Sequence, residues 1–304
     1  MREFEFIEWI CRQGMGDPGL VEVGPGDDCA VIAFGGDKLL LTTDQVLDGV
    51  HFLLADHGPA AAGRKAAARN LSDIAAMAGL PVAMVATVAA PKGFSQGDLQ
   101  TIYQGLRSIG DQFNCPLAGG DLAAWADAAG LLQISVTVLG RSDGIGPVLR
   151  RGAAVGDALC VTGALGGAWR GPRHLTFIPR IHEARRLAAE YDLHAMIDLS
   201  DVLASDLRHL TDAGGVGAEI DADALPVADD ARRTDDPLMA ALTDGEDYEL
   251  LFALPAAEAE RLIAAPPFAT PVARIGTIVA GEGLALIRDG RRQPLTARGW
   301  EHRT

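Results

Sequence analysis

A glycine-rich turn that carries two adjacent carboxylates stands near the start of the chain. Asp27 and Asp28 lie in the run GPGDDCA, from Gly24 to Ala30, between two extended apolar runs. Glycine and proline favour a tight turn at which the backbone can approach a ligand closely. Adjacent carboxylates repel each other unless a cation or a raised pKa relieves the repulsion. The turn therefore indicates a site for a hard metal ion such as Mg²⁺, with a solvated acidic turn as the alternative.

Aspartate recurs beside glycine, serine or threonine at four later junctions, where strands or helices are predicted to end. These junctions are Thr42-Thr43-Asp44, Ser72-Asp73, Gly119-Gly120-Asp121 and Asp198-Leu199-Ser200-Asp201. Functional residues collect at such ends, and carboxylates, hydroxyls and carbonyls are all hard oxygen ligands. The chain has no Walker A sequence, whose lysine and backbone would hold a phosphate directly. The junctions therefore predict several Mg²⁺ ions that hold a polyphosphate, with helix caps and turns as the alternative.

The composition is that of a globular chain with a marked negative charge. The 304 residues are 48% hydrophobic and 22% charged, which suits a soluble protein of about two domains. The formal net charge of -15 argues against nonspecific binding of nucleic acid. No run of about 18 apolar residues occurs, so we expect no membrane span. The N-terminal run MREFEFIEWI is amphipathic and acidic, unlike a signal peptide.

The four cysteines are isolated from one another. They are Cys11, Cys29, Cys115 and Cys160, and no two of them form a CxxC pair. Zinc binding and redox chemistry are therefore weakly indicated. Isolated cysteines in apolar runs suggest reduced core thiols in a cytoplasmic protein.

Strands and helices are mixed along both halves of the chain. Extended runs are predicted at 21–23 and 30–34, strands at 38–43, 81–90, 117–121, 131–140, 158–162, 216–220, 248–254, 272–279 and 283–288, and helices at 2–13, 59–78, 95–113, 179–191, 202–213 and 255–265. The run 117–121 is expected to be a short buried strand that ends on a tight turn. The polar, glycine- and proline-bearing segment 141–147 predicts a boundary. We therefore expect two domains of α+β type, 1–142 and 148–304, because strict βαβ alternation is missing.

Six motifs in order carry a family resemblance. They are GPGDDCA at 24–30, TTDQVLDGVHF at 42–52, NLSDIAAMA at 70–78, GGD at 119–121, DLSD at 198–201 and DGEDYELLF at 244–252. Together they resemble the thiamine-monophosphate kinase family, part of an ATP-binding superfamily with aminoimidazole ribonucleotide synthetase and selenophosphate synthetase. The resemblance runs from about Phe4 to Trp300. It implies an aminoimidazole ribonucleotide synthetase-like fold, with ATP and Mg²⁺ bound by the N-terminal domain and a mixed α/β C-terminal domain.

The resemblance also implies an activity. This is transfer of the γ-phosphoryl group of ATP to thiamine monophosphate, giving thiamine diphosphate, in one in-line step assisted by several Mg²⁺ ions. No side chain need act as a nucleophile. The implied partners are small molecules, not nucleic acid or membrane, and the implied assembly is a homodimer whose N-terminal domains pair through their sheets.

Site residues follow from the matching motif positions. The implied metal ligands are Asp28, Thr43, Asp44, Asp73, Asp121, Asp198 and Asp201, with Asp27 beside them and the Thr42 backbone oxygen as a further ligand. The implied nucleotide contacts are Gly120, Asp121, Arg150 and Ser200. The implied contacts to thiamine monophosphate are His51, Glu246 and Trp300. Read without the resemblance, Arg150 could be a surface arginine, His51 structural, and Trp300 a packing anchor.

Two departures from the family pattern bear on the substrate contacts. The segment 163–175 is short, and Val202 stands where a glycine usually follows the Ser-Asp pair. Two other functions stay open: a related enzyme of the superfamily that acts on another acceptor, and a non-catalytic nucleotide-binding regulator. The motifs around His51 and Glu246 favour thiamine monophosphate over another acceptor, and the intact carboxylates argue against a regulator.

Overall fold

The computed structural model describes residues 19–127 and 129–295. The predicted helix 2–13, Cys11 and Trp300 lie outside these residues. Within them, no helix has both the length and the apolar character that crossing a membrane requires.

The first half of the described chain builds a six-stranded sheet. Its strands are β1 Val21–Val23, β2 Ala30–Phe34, β3 Asp37–Leu47, β4 Leu80–Ala90, β5 Leu117–Ala124 and β6 Gln133–Arg141, in the spatial order β1-β2-β3-β6-β4-β5. Only β4 and β5 pair in parallel among these strands. Burial alternates along β6, with Ile134, Val136 and Val138 inside, as expected for a sheet with one covered face. Helices α1 Leu54–Ala76 and α2 Gln96–Gly110 belong to this half, and α1 packs on β3 and β6.

The second half builds a seven-stranded sheet. Its strands are β7 Ala158–Thr162, β8 Ala195–Asp198, β9 Gly217–Asp221, β10 Leu250–Leu254, β11 Val272–Val279, β12 Gly283–Arg288 and β13 Arg291–Pro294, in the spatial order β13-β12-β9-β11-β7-β10-β8. Its helices are α3 Arg173–Thr176, α4 Ile181–Glu190, α5 Leu203–Gly214, α6 Asp229–Arg232, α7 Pro237–Thr243 and α8 Ala256–Ala264. Short 3₁₀ helices occur at Asp111–Phe113, Ala168–Arg170 and Ala222–Ala224. Strands β7 and β10 are buried along their whole length.

Helix α1 lies between the two halves. One hydrophobic core runs from beneath the first sheet to Cys160 and Phe252 on the second, while Leu159 and Leu251 face a separate core. The guanidinium of Arg64 on α1 donates to the carbonyls of Leu175, Thr176 and Phe177, at 2.6, 3.1 and 2.6 Å. The sequence of α1 is rich in alanine, and these small side chains let the helix pack closely on both halves.

Two glycines set the crossing of α1 and α2. A Cβ atom on Gly63 would overlap the carbonyl oxygen of Ile102, and one on Gly105 would overlap that of Ala60. The backbones thus touch directly, and the position of α1 along α2 is fixed by main-chain contact.

The predicted α+β class, with a mixed sheet and helices in each half, is confirmed. The strands 158–162, 272–279 and 283–288 are found at their predicted bounds. The predicted domain bounds 1–142 and 148–304 stay a prediction. Helix α1 begins at Leu54 rather than 59, with a kink at Gly58, whose φ is 75°.

The prediction for 117–121 is wrong in burial and in its turn. Strand β5 is longer, exposed along most of its length and forms the edge of the sheet. Gly120 permits close pairing with β4 instead of a turn, because a Cβ on it would overlap the carbonyl oxygen of Ala86. Strands β8 and β13 and the short helices α3, α6 and α7 were not predicted from the sequence.

Candidate active site

Three carboxylates from distant parts of the chain meet between the two halves. Asp28 follows the glycine turn, Asp73 lies on α1 and Asp198 ends β8. One oxygen from each lies within 4.8 Å of the other two. Asp28 and Asp198 are buried. We call these three residues the carboxylate cluster.

Two hydroxyl groups orient the carboxylate cluster. The Thr42 hydroxyl donates to Asp73 Oδ2 at 2.5 Å, and the Ser72 hydroxyl donates to Asp198 Oδ2 at 2.6 Å. The second bond joins α1 of the first half to β8 of the second. The cluster is therefore held by side chains of both halves.

Arg150 is hydrogen-bonded to both aspartates of the glycine turn. Its Nε and one terminal nitrogen donate to the two oxygens of Asp28, at 3.2 and 2.8 Å, and its backbone N–H donates to Asp27. Burial acts to lower the pKa of Arg150, but the Asp28 and Asp27 carboxylates raise it above its usual value. Arg150 is therefore not a free surface arginine, which was the alternative from sequence.

Ionisation of the carboxylate cluster is opposed by its surroundings. Burial, followed by the charge of Asp28, raises the pKa of Asp198 to about 7. Burial, followed by the charges of Asp44 and Asp198, raises the pKa of Asp73 well above its usual value. A divalent cation among these oxygens would remove the repulsion, and carboxylate oxygens are ligands that Mg²⁺ accepts. The residues present therefore fit a hard metal ion.

Asp44 lies half-exposed beside the cluster and is paired with an arginine. Arg69 Nε donates to Asp44 Oδ2 at 3.0 Å. Burial acts to lower the pKa of Arg69, but the charges of Asp44, Tyr248 and Glu246 raise it well above its usual value. Arg69 therefore lies near both the cluster and the segment that contains Glu246.

Other predicted metal and nucleotide residues lie outside this arrangement. The Thr43 hydroxyl donates to the Val136 carbonyl at 3.1 Å, on the sheet face opposite Thr42, because successive strand residues alternate. Thr43 could reach the cluster side only through its backbone, so its role as a ligand stays a prediction. Gly120 and Asp121 lie on the exposed edge strand β5.

Asp201 and Ser200 lie just beyond the end of β8. The Asp201 N–H donates to Asp206 Oδ2 at 3.2 Å, and the Ser200 carbonyl accepts the Glu246 N–H at 3.1 Å. Asp206 was not predicted from sequence. Burial, followed by the charges of Asp201 and Asp198, raises its pKa well above its usual value.

A second polar group surrounds a buried lysine on the same helix. Lys65 Nζ lies 2.6 Å from the His51 carbonyl, 2.9 Å from His174 Nδ1 and 2.5 Å from Glu246 Oε2. Its ammonium also lies 5.1 Å from the centre of the Trp169 ring. The predicted substrate residues His51 and Glu246 are thus brought together by Lys65. We call Lys65, His51, His174 and Glu246 the lysine cluster.

His174 takes part in the lysine cluster as a neutral base. Burial, followed by the charges of Lys65 and His57, lowers its pKa to about 3. Its ring centre lies 4.5 Å from that of Trp169 and 5.4 Å from that of His57. Sequence reasoning missed Lys65, Trp169 and His174, since they lie outside the motifs or in the segment noted only as short.

Two ion pairs between partly exposed arginines and buried carboxylates anchor the segment that contains Glu246. Arg173 lies 2.9 Å from Asp247, and Arg180 donates to both oxygens of Glu249 at 2.7 and 2.5 Å. Glu246 has a φ of 60°, in the left-handed region that L residues rarely adopt. Both pairs hold residues that closely follow Glu246 in the chain, and so restrict the backbone on its C-terminal side.

Known protein families match this chain over most of its length. The model of the AIR synthase related protein N-terminal domain matches residues 26–142, and that of the C-terminal domain matches residues 174–289. The thiamine-monophosphate kinase of Rhodopirellula baltica is 39% identical over 277 residues, covering 87% of this chain and 85% of the relative. The chain belongs to the thiamine-monophosphate kinase family. The family member of Escherichia coli K12 is 34% identical, with 93% and 92% of the two chains covered.

Solved structures of the family share the fold. AaThiL complexed with AMPPCP and TMP superposes with a TM-score of 0.84 at 29% identity, covering 99% of this chain and 97% of that one. The Aquifex aeolicus thiamine monophosphate kinase superposes with a TM-score of 0.78 at 28% identity, covering 96% and 99%. Hydrogenase maturation protein HypE in complex with ATP, at 17% identity and a TM-score of 0.70, shares the fold alone. The predicted family and its aminoimidazole ribonucleotide synthetase-like fold are confirmed.

Proposed function

We propose that the chain transfers the γ-phosphoryl group of ATP to thiamine monophosphate and forms thiamine diphosphate. The observation that carries this proposal is the carboxylate cluster, which gathers Asp28, Asp73 and Asp198 within 4.8 Å from both halves of the chain. Its support is the family of relatives that bear this activity in their names. A structural neighbour complexed with AMPPCP and TMP adds to that support.

Helix α1 gives the proposed reaction its layout. Lys65, Arg69 and Asp73 follow one another at i, i+4 and i+8, so they lie on one face at steps of about 6 Å. The lysine cluster, with its predicted acceptor residues, is at one end of this row. The carboxylate cluster, with its predicted donor residues, is at the other. We assign the acceptor to the first and the triphosphate to the second.

The carboxylates would act mainly by holding Mg²⁺. When bound, Mg²⁺ neutralises phosphate charge and aligns donor and acceptor for in-line transfer. Asp28, Asp73 and Asp198 would be ligands, with Asp44 and Asp201 beside them. Asp121, Gly120 and Ser200 stay proposed contacts from the family motif.

The cationic side chains would bind phosphate directly. The fork of Arg150 suits phosphate oxygens, and its pairing with Asp28 keeps it at the nucleotide end. Arg69 lies between the two clusters, where the phosphoryl group would pass from donor to acceptor. The acceptor oxygen belongs to a phosphate, so no strong general base is required.

The assembly and compartment are further parts of the proposal. The sheet face opposite α1 exposes Leu41 and Val85, and the edge strand β5 exposes Leu122. Pairing of two N-terminal domains through their sheets would cover such a surface. We propose a cytoplasmic homodimer, in keeping with the free buried thiols Cys29, Cys115 and Cys160.

An ATP-consumption assay tests the function. Purified protein is given ATP and either thiamine monophosphate, unphosphorylated thiamine or no acceptor, each with Mg²⁺ or with a chelator. We expect ADP and thiamine diphosphate in equal amounts with thiamine monophosphate and Mg²⁺ only. Consumption of ATP with another acceptor alone, or nucleotide binding without any turnover, would contradict the proposal.

A further inference from the structure

Lys65 is a fully buried lysine whose charge the proposed transfer does not use. Its side chain has no exposed area, and lysine is rarely buried to this extent without partners. Its three ammonium hydrogens have three acceptors: the His51 carbonyl, His174 Nδ1 and Glu246 Oε2. This arrangement satisfies every donor of a protonated lysine.

The three acceptors come from three separate segments. His51 follows β3, His174 is in α3, and Glu246 lies between α7 and β10. Lys65 itself belongs to α1, the helix that packs on both halves. One ammonium group therefore fixes segments of the first and second halves relative to each other.

The bonds to Glu246 leave part of its carboxylate available. Lys65 and the Tyr248 hydroxyl both approach Oε2, at 2.5 and 3.3 Å. No residue within 19–127 and 129–295 donates a hydrogen bond to Oε1, and 18% of the side chain is exposed. A carboxylate held by one oxygen can accept an N–H donor or a cationic ring with the other.

We propose that Lys65 is a positioning residue of the acceptor site, which orients Glu246 and the His51 segment for the organic end of the acceptor. The inference rests on the proposed function for the identity of that acceptor. Nucleotide binding should not depend on Lys65, because the carboxylate cluster lies two helical turns further along α1.

The pH dependence of acceptor binding gives a first test. Burial lowers the pKa of Lys65 to about 8, although Glu246 acts to raise it. Below about pH 8 Lys65 is protonated and all three of its bonds form, and above that pH they weaken. The charged or titratable groups around it are His51, Arg69, His174 and Glu246, with Tyr248 beyond Glu246 and His57 beyond His174. We expect the KM for thiamine monophosphate to increase as the pH is raised above about 8. The KM for ATP should show no such increase.

The variant Lys65→Met removes the charge and keeps the length of the side chain. The matched control is Lys92→Met, at an exposed lysine of the same half. A hydrogen bond to a charged group is worth a factor of about ten or more. We expect the KM for thiamine monophosphate to rise about tenfold or more in Lys65→Met, with the KM for ATP within about twofold of wild type. The variant should also lose the increase of the acceptor KM at high pH. Equal increases in both KM values, or a lower melting temperature with an unchanged acceptor KM, would overturn the proposal.

A double-mutant cycle tests whether Lys65 acts through Glu246. Glu246→Gln keeps the shape of the side chain and removes its charge. If Lys65 positions Glu246, the double variant has an acceptor KM no higher than the larger of the single effects. Fully additive effects would refute this coupling.

A crystal structure of Lys65→Met tests the positioning independently of activity. We expect the Glu246 carboxylate and the His51 carbonyl to move from their wild-type positions. Unmoved groups would overturn the inference even if the enzyme is active. Failure of the proposed function would show separately, as an inactive wild-type protein.

Discussion

Replacement of Asp198 by asparagine should make the metal-free protein more stable and remove its response to Mg²⁺. The pKa of Asp198 is about 7, against about 3.9 for an unfolded aspartate. Ionising it in the folded chain at about pH 8 therefore costs up to about 4 kcal/mol. The repulsion between two unit negative charges 4.8 Å apart is about 3 kcal/mol at an effective dielectric constant of about 20. Because Asp73 shares the repulsion, we expect Asp198→Asn to recover about 2–4 kcal/mol.

The sign of the pH dependence follows from the same values. The folded pKa of Asp198 lies above the unfolded one, so stability falls as pH rises from about 4 to about 7. It then stays level as far as this group is concerned. Asparagine does not titrate, and its amide oxygen can still accept the Ser72 hydroxyl. The variant should therefore lose less stability than wild type across this range.

Thermal unfolding at about pH 8 measures the effect, with and without a chelator. With a chelator, Asp198→Asn should melt about 5 °C above wild type. With Mg²⁺ at about 100 times its dissociation constant, wild type should gain about 3 kcal/mol and the variant much less. Asp212→Asn is the matched control, since Asp212 is exposed in the same half. A variant that melts below wild type in chelator and keeps the full response to Mg²⁺ would refute the repulsive metal site.

Three further predictions concern other parts of the site. Asp44→Asn and Asp73→Asn should each lower turnover about a hundredfold or more while the circular dichroism spectrum stays native; near-normal turnover in both would show that these carboxylates have no part in the transfer. Arg180→Leu should leave Glu249 buried and unpaired, lowering the free energy of unfolding by about 3 kcal/mol in a denaturant titration; an unchanged midpoint would show that the pair does not anchor the segment of Glu246. Trp300→Ala should raise the KM for thiamine monophosphate by a factor between a few and about thirty, with the KM for ATP and the melting temperature unchanged. A lower melting temperature with an unchanged KM would indicate that Trp300 is a packing anchor instead.

The carboxylate cluster could be predicted in outline because aspartates beside small or hydroxyl residues mark the ends of elements. Asp28 and Asp198 lie at such ends, whereas Asp73 lies within helix α1, and the fold gathers all three. It was harder to predict which of Thr42 and Thr43 has its side chain on the side of the carboxylate cluster. Strand β3 continues to Leu47, and alternation places the two side chains on opposite faces of the sheet. That difference depends on which face of the sheet is covered.

Lys65 and His174 of the lysine cluster could not be predicted, because their contacts join segments that are far apart in the sequence. Lys65 stands in an alanine-rich helix, and His174 lies in a segment that differs from the family pattern. Nothing in either local sequence shows that an ammonium group and a neutral imidazole lie 2.9 Å apart. The same holds for Arg180, whose partner Glu249 lies 69 residues further along the chain.

The contact of Gly63 and Gly105 has a consequence far from either glycine. Beyond its kink at Gly58, helix α1 carries Lys65 near the crossing and Asp73 about 12 Å further along. Its axial position is set where two backbones touch, with no side chain between them to absorb an error. One added methyl group there would shift both clusters together, keeping the spacing between them while moving each out of register with its partners in the second half. The crossing thus sets the register of both clusters with their partners in the second half, through a backbone contact that includes none of the cluster residues.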